Sequence, residues 1–253
     1  GKSTLLQGLL GDAVALPGTH LDITTKANMA LATTDDQDER DERGGVRVAG
    51  GGVVSYAGQM AFVLNATIKD NILFGLPLND PLYHKVMDAC CLTPDMATLP
   101  ARDLTEVGER GITLSGGQKA RVGLARATYA ALYAANITDR KVPALVLLDD
   151  VLCALDANTS RAVFDNLLKP DTGLLRRPNE GGGGVGVVFV THAAHLLSQV
   201  TQILLLHAGD VKFRGTWDEL LQLNITASTD QTTDKSTDKS TDGSSSSSSS
   251  SSS

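Results

Sequence analysis

The sequence is poor in cysteine, in basic residues and in long apolar runs, and each shortage excludes a class of protein. Its three cysteines show neither disulfide-framework nor zinc spacing, which favours a reducing, cytosolic setting and predicts no metal cluster. No apolar stretch approaches the length of about 18 residues that spans a bilayer, so we expect no transmembrane segment within the chain. The net charge of -7 offers no basic surface to a nucleic-acid backbone, so a nucleic-acid partner is disfavoured.

Short apolar runs alternate with helical patterns, and this alternation predicts an α/β fold with a mostly parallel sheet. The runs 144–150 and 186–192 are apolar nearly throughout, as expected for parallel strands covered on both faces. A further strand is predicted at 53–59, and 202–215 reads as an edge hairpin. Helices are predicted over 3–10, 80–91, about 115–135 and 158–168.

The chain is predicted to divide into a domain over 1–223 and a disordered tail over 224–253. The tail is a low-complexity tract of Ser, Thr and Asp that ends in ten serines and has nothing to bury. Within the domain, the mostly helical stretch of about 60–135 is predicted to form a subdomain. Three segments are predicted to be surface insertions between core elements: about 12–45, 133–142 and 170–184.

The chain opens on GKST, which is the end of a phosphate-binding loop. In such a loop a lysine reaches the β- and γ-phosphates, a hydroxyl binds magnesium, and amides at a helix start face the anion. Lys2, Ser3 and the helix predicted behind them supply these groups. The glycines that precede GKST in the complete motif are absent, so we expect a chain truncated at its N-terminus.

The run LVLLDD, residues 145–150, has the pattern of the second half of such a site, in which a buried strand delivers an acid to magnesium. Asp149 would then hold the metal, directly or through water. The alternative is an ordinary strand-end turn, because a hydrophobic strand ending in an acid is a common pattern. The run alone does not separate the two interpretations.

The run LSGGQ, residues 114–118, precedes a strong helix with a positive face. Ser115 and the paired glycines would expose a hydroxyl and N–H groups at a helix N-terminus, where the helix dipole favours an anion. The alternative is a capped helix with a glycine turn. Each glycine weakens a helix start by roughly 1 kcal/mol relative to alanine, which favours a backbone that a ligand approaches.

Together these motifs resemble the nucleotide-binding domains of ATP-binding cassette (ABC) transporters. The resemblance rests on motifs in the family's order: GKST, Gln59 in YAGQMAF, LSGGQ, LVLLDD, ALD at 154–156 and His192 in VFVTH. NATIKDNILFG, VMDACCLTPDMATLP and TEVGERGITLSGGQKARVGLARA are similar to the C subfamily, the multidrug-resistance-associated exporters. The resemblance covers about 1–11 and 46–223 and implies a P-loop NTPase core with an ABC helical subdomain, whose N-terminal antiparallel strands are largely missing.

The resemblance also implies roles for the matching residues. Phosphate and magnesium contacts fall to the opening motif, Gly1, Lys2, Ser3 and Thr4. The predicted magnesium ligands are Ser3, Gln59 and Asp149. Contacts with a nucleotide held by an opposing domain fall to Ser115, Gly116, Gly117 and Gln118, while Asp156 is expected at the dimer seam. The groups expected to act in catalysis are Asp150, His192 and Gln59.

Four positions depart from the family pattern. Gly58 and Val151 replace prolines, and Cys153 replaces a serine. Asp150 stands where most members carry the glutamate that polarises the attacking water, and aspartate is one methylene shorter. In the C subfamily such an aspartate is typical of the first of two nucleotide-binding domains, so weak hydrolysis is expected at this chain's own site.

The function implied by the resemblance is that of an ATPase domain with ATP and Mg²⁺ as cofactors. It would close against a second nucleotide-binding domain at the cytosolic face of a membrane transporter and power export of amphipathic anions or conjugates through transmembrane domains. An ATP-gated channel, or a channel regulator of the same subfamily, is one alternative. A soluble, non-transporter ABC ATPase is another, and a fragment with low nucleotide affinity by itself is a third.

Overall fold

The computed structural model describes residues 2–3, 5–6, 52–108, 113–137, 142–176, 185–207 and 210–230. Residues 2–3 and 5–6 are helical. The strands are β1 (Val53–Ala57), β2 (Ala66–Thr67), β3 (Glu106–Val107), β4 (Ala144–Asp149), β5 (Val185–Val190), β6 (Ile203–His207) and β7 (Asp210–Gly215). The α-helices that follow are α1 (Ile68–Leu73), α2 (Asp80–Ala89), α3 (Thr93–Thr98), α4 (Gly116–Leu132), α5 (Ala157–Leu167) and α6 (Trp217–Asp230).

A parallel sheet with the strand order β1-β4-β5 forms the centre of the described residues. All six residues of β4 are buried, because β1 and β5 pair with its two edges and side chains cover both of its faces. Leu145 and Leu147 pack with Leu6 on one face. Val146 and Leu148, which point the other way as alternation in a strand requires, belong to the larger core on the helical side. The predicted α/β class is confirmed.

The region between β1 and β4 is mostly helical, and α1, α2 and α4 begin at polar caps. The hydroxyl of Thr67 accepts a hydrogen bond from the N–H of Asp70 at the start of α1, and Asn79 caps α2 in the same way. Tyr129 of α4 is fully buried, and its hydroxyl donates to the carbonyl of Pro77 at 2.7 Å. The subdomain bounds near 60 and 135 stay predictions, although the helices lie within them.

The predicted hairpin is confirmed as the antiparallel pair of β6 and β7, in which Ile203 lies opposite Gly215, but among the described residues this pair forms a two-stranded sheet of its own and not the edge of the parallel sheet. The final helix, α6, continues to Asp230 and so runs past the boundary predicted at 223. No described helix combines the length and the apolar character that crossing a bilayer requires.

The segment 170–184, predicted to be a surface loop, is partly a core element. Leu175 is only 2% exposed and belongs to the main core. Its N–H donates to the carbonyl of Leu167 at 3.1 Å, and that of Leu174 donates to Asn166, so 174–175 folds back along the end of α5. The prediction was wrong here because two leucines in a turn-rich stretch carry no periodicity that would announce burial.

Candidate functional site

The carboxyl ends of β1, β4 and β5 meet at one edge of the parallel sheet. In the strand register Ala57 lies beside Leu148, and Asp149 lies beside Val190. Gln59 and His192 each come two residues after their strand ends, and both are exposed. Sheet topology therefore carries residues from three distant parts of the sequence to the edge where open α/β sheets bind ligands.

Ser3 and Asp149 form the contact on which the site depends. The Ser3 hydroxyl donates a hydrogen bond to the Asp149 carboxylate at 3.2 Å, across 146 positions of sequence. Asp149 is 6% exposed, held at the end of the buried strand β4. Behind Ser3, Leu6 is 1% exposed and packs against β4, which fixes the helical segment to the sheet.

These two oxygens suit a magnesium ion. Mg²⁺ binds oxygen ligands octahedrally at about 2.0–2.1 Å, so neighbouring ligand oxygens lie about 2.9 Å apart. The 3.2 Å separation of the Ser3 and Asp149 oxygens is close to that value. A hydroxyl, a carboxylate and water are the donor set that this ion takes beside phosphates, so the residues present fit it.

A cavity of about 320 Å³ opens beside this pair. Ser3, Gln59 and Asp149, the three predicted metal ligands, all line it. Gly58, Phe62 and other residues of the segment after β1 form another part of its wall. Three residues from separate sequence motifs thus share one cavity. The motifs themselves contain no information on the distances between these residues.

The adjacent acids of LVLLDD separate at the end of β4. Asp149 lines the cavity, whereas Asp150 is not among its described lining residues. Asp150 has a φ of 50°, its N–H donates to the carbonyl of Val190 at 3.0 Å, and its carbonyl accepts from Cys153 at 3.2 Å. The left-handed backbone turns the chain at this point, which aspartate tolerates better than most residues.

Two contacts of the cavity wall were missed from the sequence. The side-chain amide of Gln59 donates to the sulfur of Cys153 at 3.9 Å, which joins the segment after β1 to the turn after β4. Arg126 of α4 also lines the cavity. The signal for Arg126 was a charged residue inside a helix stretch whose neighbours are nearly all apolar.

Arg126 is held between two aromatic rings. Its guanidinium lies 4.3 Å from the centre of the Phe62 ring and 4.7 Å from that of Phe74. It donates to the carbonyl of Asn71 at 2.7 Å and to that of Phe62 at 3.3 Å. Burial lowers the pKa of Arg126, but an arginine so placed keeps its charge at neutral pH. Its contacts tie the segment after Gln59 to α1 and α4.

The start of α4 is a closed capping box. The Ser115 hydroxyl accepts from the N–H of Gln118 at 3.2 Å, and the Gln118 side-chain oxygen accepts from the N–H of Ser115 at 3.0 Å. The alternative noted from the sequence, a capped helix, therefore describes its local structure. A cap does not exclude a ligand, because the Ser115 hydroxyl hydrogen and the first helical N–H groups stay free of the box.

The two glycines of this turn differ in their surroundings. A side chain added at Gly116 would meet no atom within 4 Å. One added at Gly117 would lie 3.2 Å from the carbonyl oxygen of Ala154, so this glycine allows α4 to approach the turn before α5. Gly116 therefore leaves backbone open to a ligand, and Gly117 serves packing between two parts of the chain.

Asp156 caps α5, the helix that begins at Ala157. Its carboxylate accepts from the N–H of Asn158 at 3.1 Å and of Thr159 at 3.0 Å. Hydrogen bonds from the side chain and the N–H of Thr159 hold the pKa of Asp156 below its ordinary value. The carboxylate is exposed and thus lies at the surface.

The remaining predicted residues fall into three groups. Lys2 is helical and half-buried beside the cavity residue Ser3. Gly1 and Thr4 lie outside the described residues. Ser115, Gly116, Gly117, Gln118, Asp156 and His192 are described but do not line the cavity, so the structure brings only part of the predicted site together.

Most of the chain is similar to three known proteins. Human ATP-binding cassette sub-family C member 2 is 37% identical over 221 residues, 87% of this chain and 11% of that protein. ABC transporter C family member 8 of Dictyostelium discoideum is 36% identical over 222 residues, 88% of this chain and 11% of that protein. Multidrug resistance protein mrp-7 of Caenorhabditis elegans is 36% identical over 222 residues, 88% of this chain and 12% of that protein.

No protein-family model matches the chain. The chain spans only 11–12% of the length of these three relatives, so it corresponds to one segment of each.

Proposed function

Since the chain belongs to the C subfamily of ATP-binding cassette proteins, we propose that it is a nucleotide-binding domain that binds Mg-ATP. The observation that carries the proposal is the hydrogen bond between Ser3 and Asp149. It joins the end of a phosphate-loop motif to the acid of a buried strand, in a cavity that also includes Gln59. A structural turn alone gives no reason for these three polar groups to converge.

In this proposal Ser3 and Asp149 hold magnesium, which supplies a positive charge that binds and polarises the phosphate oxygens. Lys2 contributes a second positive charge to the β- and γ-phosphates. Gln59 orients water at the open side of the cavity, and His192, at the same sheet edge, contacts the γ-phosphate. Each of these residues acts by holding charge or orienting a group, as phosphoryl transfer requires.

The turn at the start of α4 is assigned to a different nucleotide, one held by a second nucleotide-binding domain. Its support is that Ser115 and Gly116 are exposed and do not line this chain's own cavity. The Ser115 hydroxyl and the N–H groups of the first turn are donors for a phosphate, helped by the helix dipole. Asp156, exposed at the start of α5, lies at the proposed seam between the two domains.

Hydrolysis at this chain's own cavity is proposed to be slow. Asp150 takes the place of a longer glutamate, and its backbone is held by hydrogen bonds to Val190 and Cys153. A base must lie within about 2.6–3.2 Å of the proton it removes, and misplacement by about 1 Å can cost about a hundredfold in rate. The chain is thus proposed to be the binding, weakly hydrolysing half of a pair.

Transmembrane domains are the proposed second partner, with the chain on the cytosolic side of the membrane. The support is a group of exposed apolar side chains around the segment after β1, including Met60, which is 91% exposed. Tyr56 and Phe62 line the same cavity as Met60, Phe62 contacts Phe74 with 6.1 Å between ring centres, and Leu64 and Leu78 are further exposed apolar residues nearby in sequence. Because apolar groups of this extent mark interaction surfaces, we assign this one to the membrane portion of an exporter of amphipathic anions or conjugates.

Binding of labelled ATP to the complete protein, with and without magnesium, tests the proposal. Asp149→Asn removes the charge facing the metal, and we expect its magnesium-dependent affinity at this cavity to fall at least tenfold. Asp103→Asn is the matched control, because Asp103 is a carboxylate outside the described cavity lining that accepts from the Tyr83 hydroxyl at 3.0 Å. Equal, magnesium-dependent affinity in wild type and Asp149→Asn would refute the proposed cavity.

A further inference from the structure

Asp95 on α3 holds the start of α4 from the side. Its carboxylate accepts from the side-chain amide of Gln118 at 3.1 Å and forms an ion pair with Arg121 at 2.7 Å. We propose that Asp95 is a positioning residue for the Ser115–Gln118 turn, acting through Gln118. This inference rests on the proposed function, because the proposed function assigns a nucleotide to that turn.

Gln118 is held at both ends of its side-chain amide. Its oxygen accepts from the N–H of Ser115, and its nitrogen donates to Asp95. Asp95 therefore selects the orientation of the amide: the nitrogen must face α3, so the oxygen must face Ser115. Without Asp95, the amide could rotate by half a turn and present two N–H donors to the N–H of Ser115, which would open the capping box.

The occupied amide changes the role of Gln118 at the nucleotide. The oxygen and one N–H of its amide are used within the chain, so Gln118 orients the turn while other groups supply the phosphate contacts. The donors available to an anion are the Ser115 hydroxyl and the N–H groups of Gly116 and Gly117, which have no intrahelical acceptor at this end of α4. Asp95 thus aims these three donors without touching the ligand.

Arg121 makes this arrangement compatible with an anion. A lone carboxylate near the turn would repel phosphate, and a lone cation in the second turn of a helix would oppose the helix dipole. In the ion pair the two charges cancel locally, and the side chains of Arg121 and Asp95 are 13% and 20% exposed. Arg121 also donates to the carbonyl of Gly117 at 3.3 Å and to that of Cys91, so the pair is anchored on α4 and on the turn that precedes α3.

A double-mutant cycle on the complete protein tests whether Asp95 acts through Gln118. The variants are Asp95→Ala, Gln118→Ala and the two combined, with ATP turnover and magnesium-dependent ATP binding at the Ser3–Asp149 cavity as readouts. Misplacement by about 1 Å can cost about a hundredfold in rate, so we expect turnover to fall by about 10- to 100-fold in each single variant. Because the two residues form one unit, the double variant should be no slower than the slower single variant.

Binding at the Ser3–Asp149 cavity should stay at the wild-type value in all three variants. Losses that multiply in the double variant would overturn the inference, as would wild-type turnover in Asp95→Ala. The proposed function fails in a different way, by loss of magnesium-dependent binding from the wild type itself. Asp103→Ala, in the same region, is the control for a general loss of stability and should leave turnover unchanged.

Asp95→Asn keeps an acceptor for Gln118 and removes only the charge facing Arg121. If Asp95 acts through Gln118, its turnover should lie within about threefold of wild type, because the orientation of the amide is kept. A loss as large as that of Asp95→Ala would assign the effect to the ion pair and so overturn the inference. The melting temperature of each variant distinguishes a loss of turnover caused by misfolding from one caused by misplaced hydrogen-bond donors.

Discussion

The cavity beside Asp149 and the turn at the start of α4 are built by different means. The cavity depends on a contact between Ser3 and Asp149, which lie 146 positions apart and meet because the helical segment that carries Ser3 packs through Leu6 against β4. The turn closes through hydrogen bonds between Ser115 and Gln118, three positions apart. A site made by topology is lost with the packing around it, whereas a site made by a local motif needs only its own helix and a lateral support.

The largest expected effect comes from breaking the topological contact. In Ser3→Ala, Asp149 loses its hydrogen bond and the metal loses a ligand. A hydrogen bond to a charged group contributes about 1.5–3 kcal/mol, so magnesium-dependent ATP affinity should fall by about 10- to 100-fold. Equilibrium binding of labelled ATP measures this, and Ser115→Ala should leave affinity at this cavity unchanged. Wild-type affinity in Ser3→Ala would remove Ser3 from the proposed site.

The second prediction distinguishes the helix-capping role of Ser115 from its proposed role in binding phosphate. Ser115→Ala removes the cap of α4 and should cost about 1 kcal/mol of stability. Ser115→Asp keeps a good cap, so its melting temperature should stay near that of wild type, but it adds a negative charge where phosphate is proposed to bind. Turnover should therefore fall in both variants, and an active Ser115→Asp would show that the turn has only a structural role.

The paired glycines give the third prediction. Gly116→Ala meets open space, so it should keep the stability of the fold while crowding the approach of a nucleotide. Gly117→Ala places a methyl group 3.2 Å from the Ala154 carbonyl oxygen, and overpacking of about 1–3 kcal/mol should outweigh the gain of roughly 1 kcal/mol in helix propensity, so this variant should be the less stable of the two. Urea unfolding of the two variants measures this difference. The opposite order of stabilities would contradict the packing role of Gly117.

The smallest effect is the acid sensitivity of the cap of α5. The pKa of Asp156 is depressed by the hydrogen bonds from Thr159, so its contribution is present above the ordinary aspartate pKa and is lost as the pH falls through the folded-state value. In Asp156→Asn, which caps without titrating, this component should vanish. Thermal unfolding at neutral and acidic pH compares the two proteins. The same acid dependence in both would assign it to other groups.

Local sequence patterns predicted most elements well. The apolar runs at 144–150 and 186–192 became β4 and β5, and the turn-separated pair near the end became β6 and β7. Where the prediction failed, a tertiary contact decided the outcome. Leu175 is buried because the chain folds back along the end of α5, where its N–H donates to the carbonyl of Leu167.

The sequence predicted which chemical groups the site would contain but not how they are arranged in space. The residue types of GKST, LVLLDD and LSGGQ indicated groups for phosphate and magnesium, yet gave no sign that Asp149 and Asp150 would separate. Three contacts were not predicted because their partners lie far apart in the sequence. Arg126 donates to Phe62, Cys153 accepts from Gln59, and Asp95 accepts from Gln118. Patterns in a single sequence indicate periodicity and local turns. Contacts between residues that are distant in the sequence produce neither signal.

The sequence by itself determined the chemistry available to this protein: a lysine and a hydroxyl before a helix, an acid at the end of a buried strand, and a serine followed by two glycines at a helix start. Those properties follow from residue type and spacing, which act over a few positions. Only the tertiary structure decided that Ser3 meets Asp149, that Asp149 and not Asp150 is among the described residues lining the cavity, and that Asp95 fixes Gln118. Sheet register and helix packing set these distances, because both depend on the whole core.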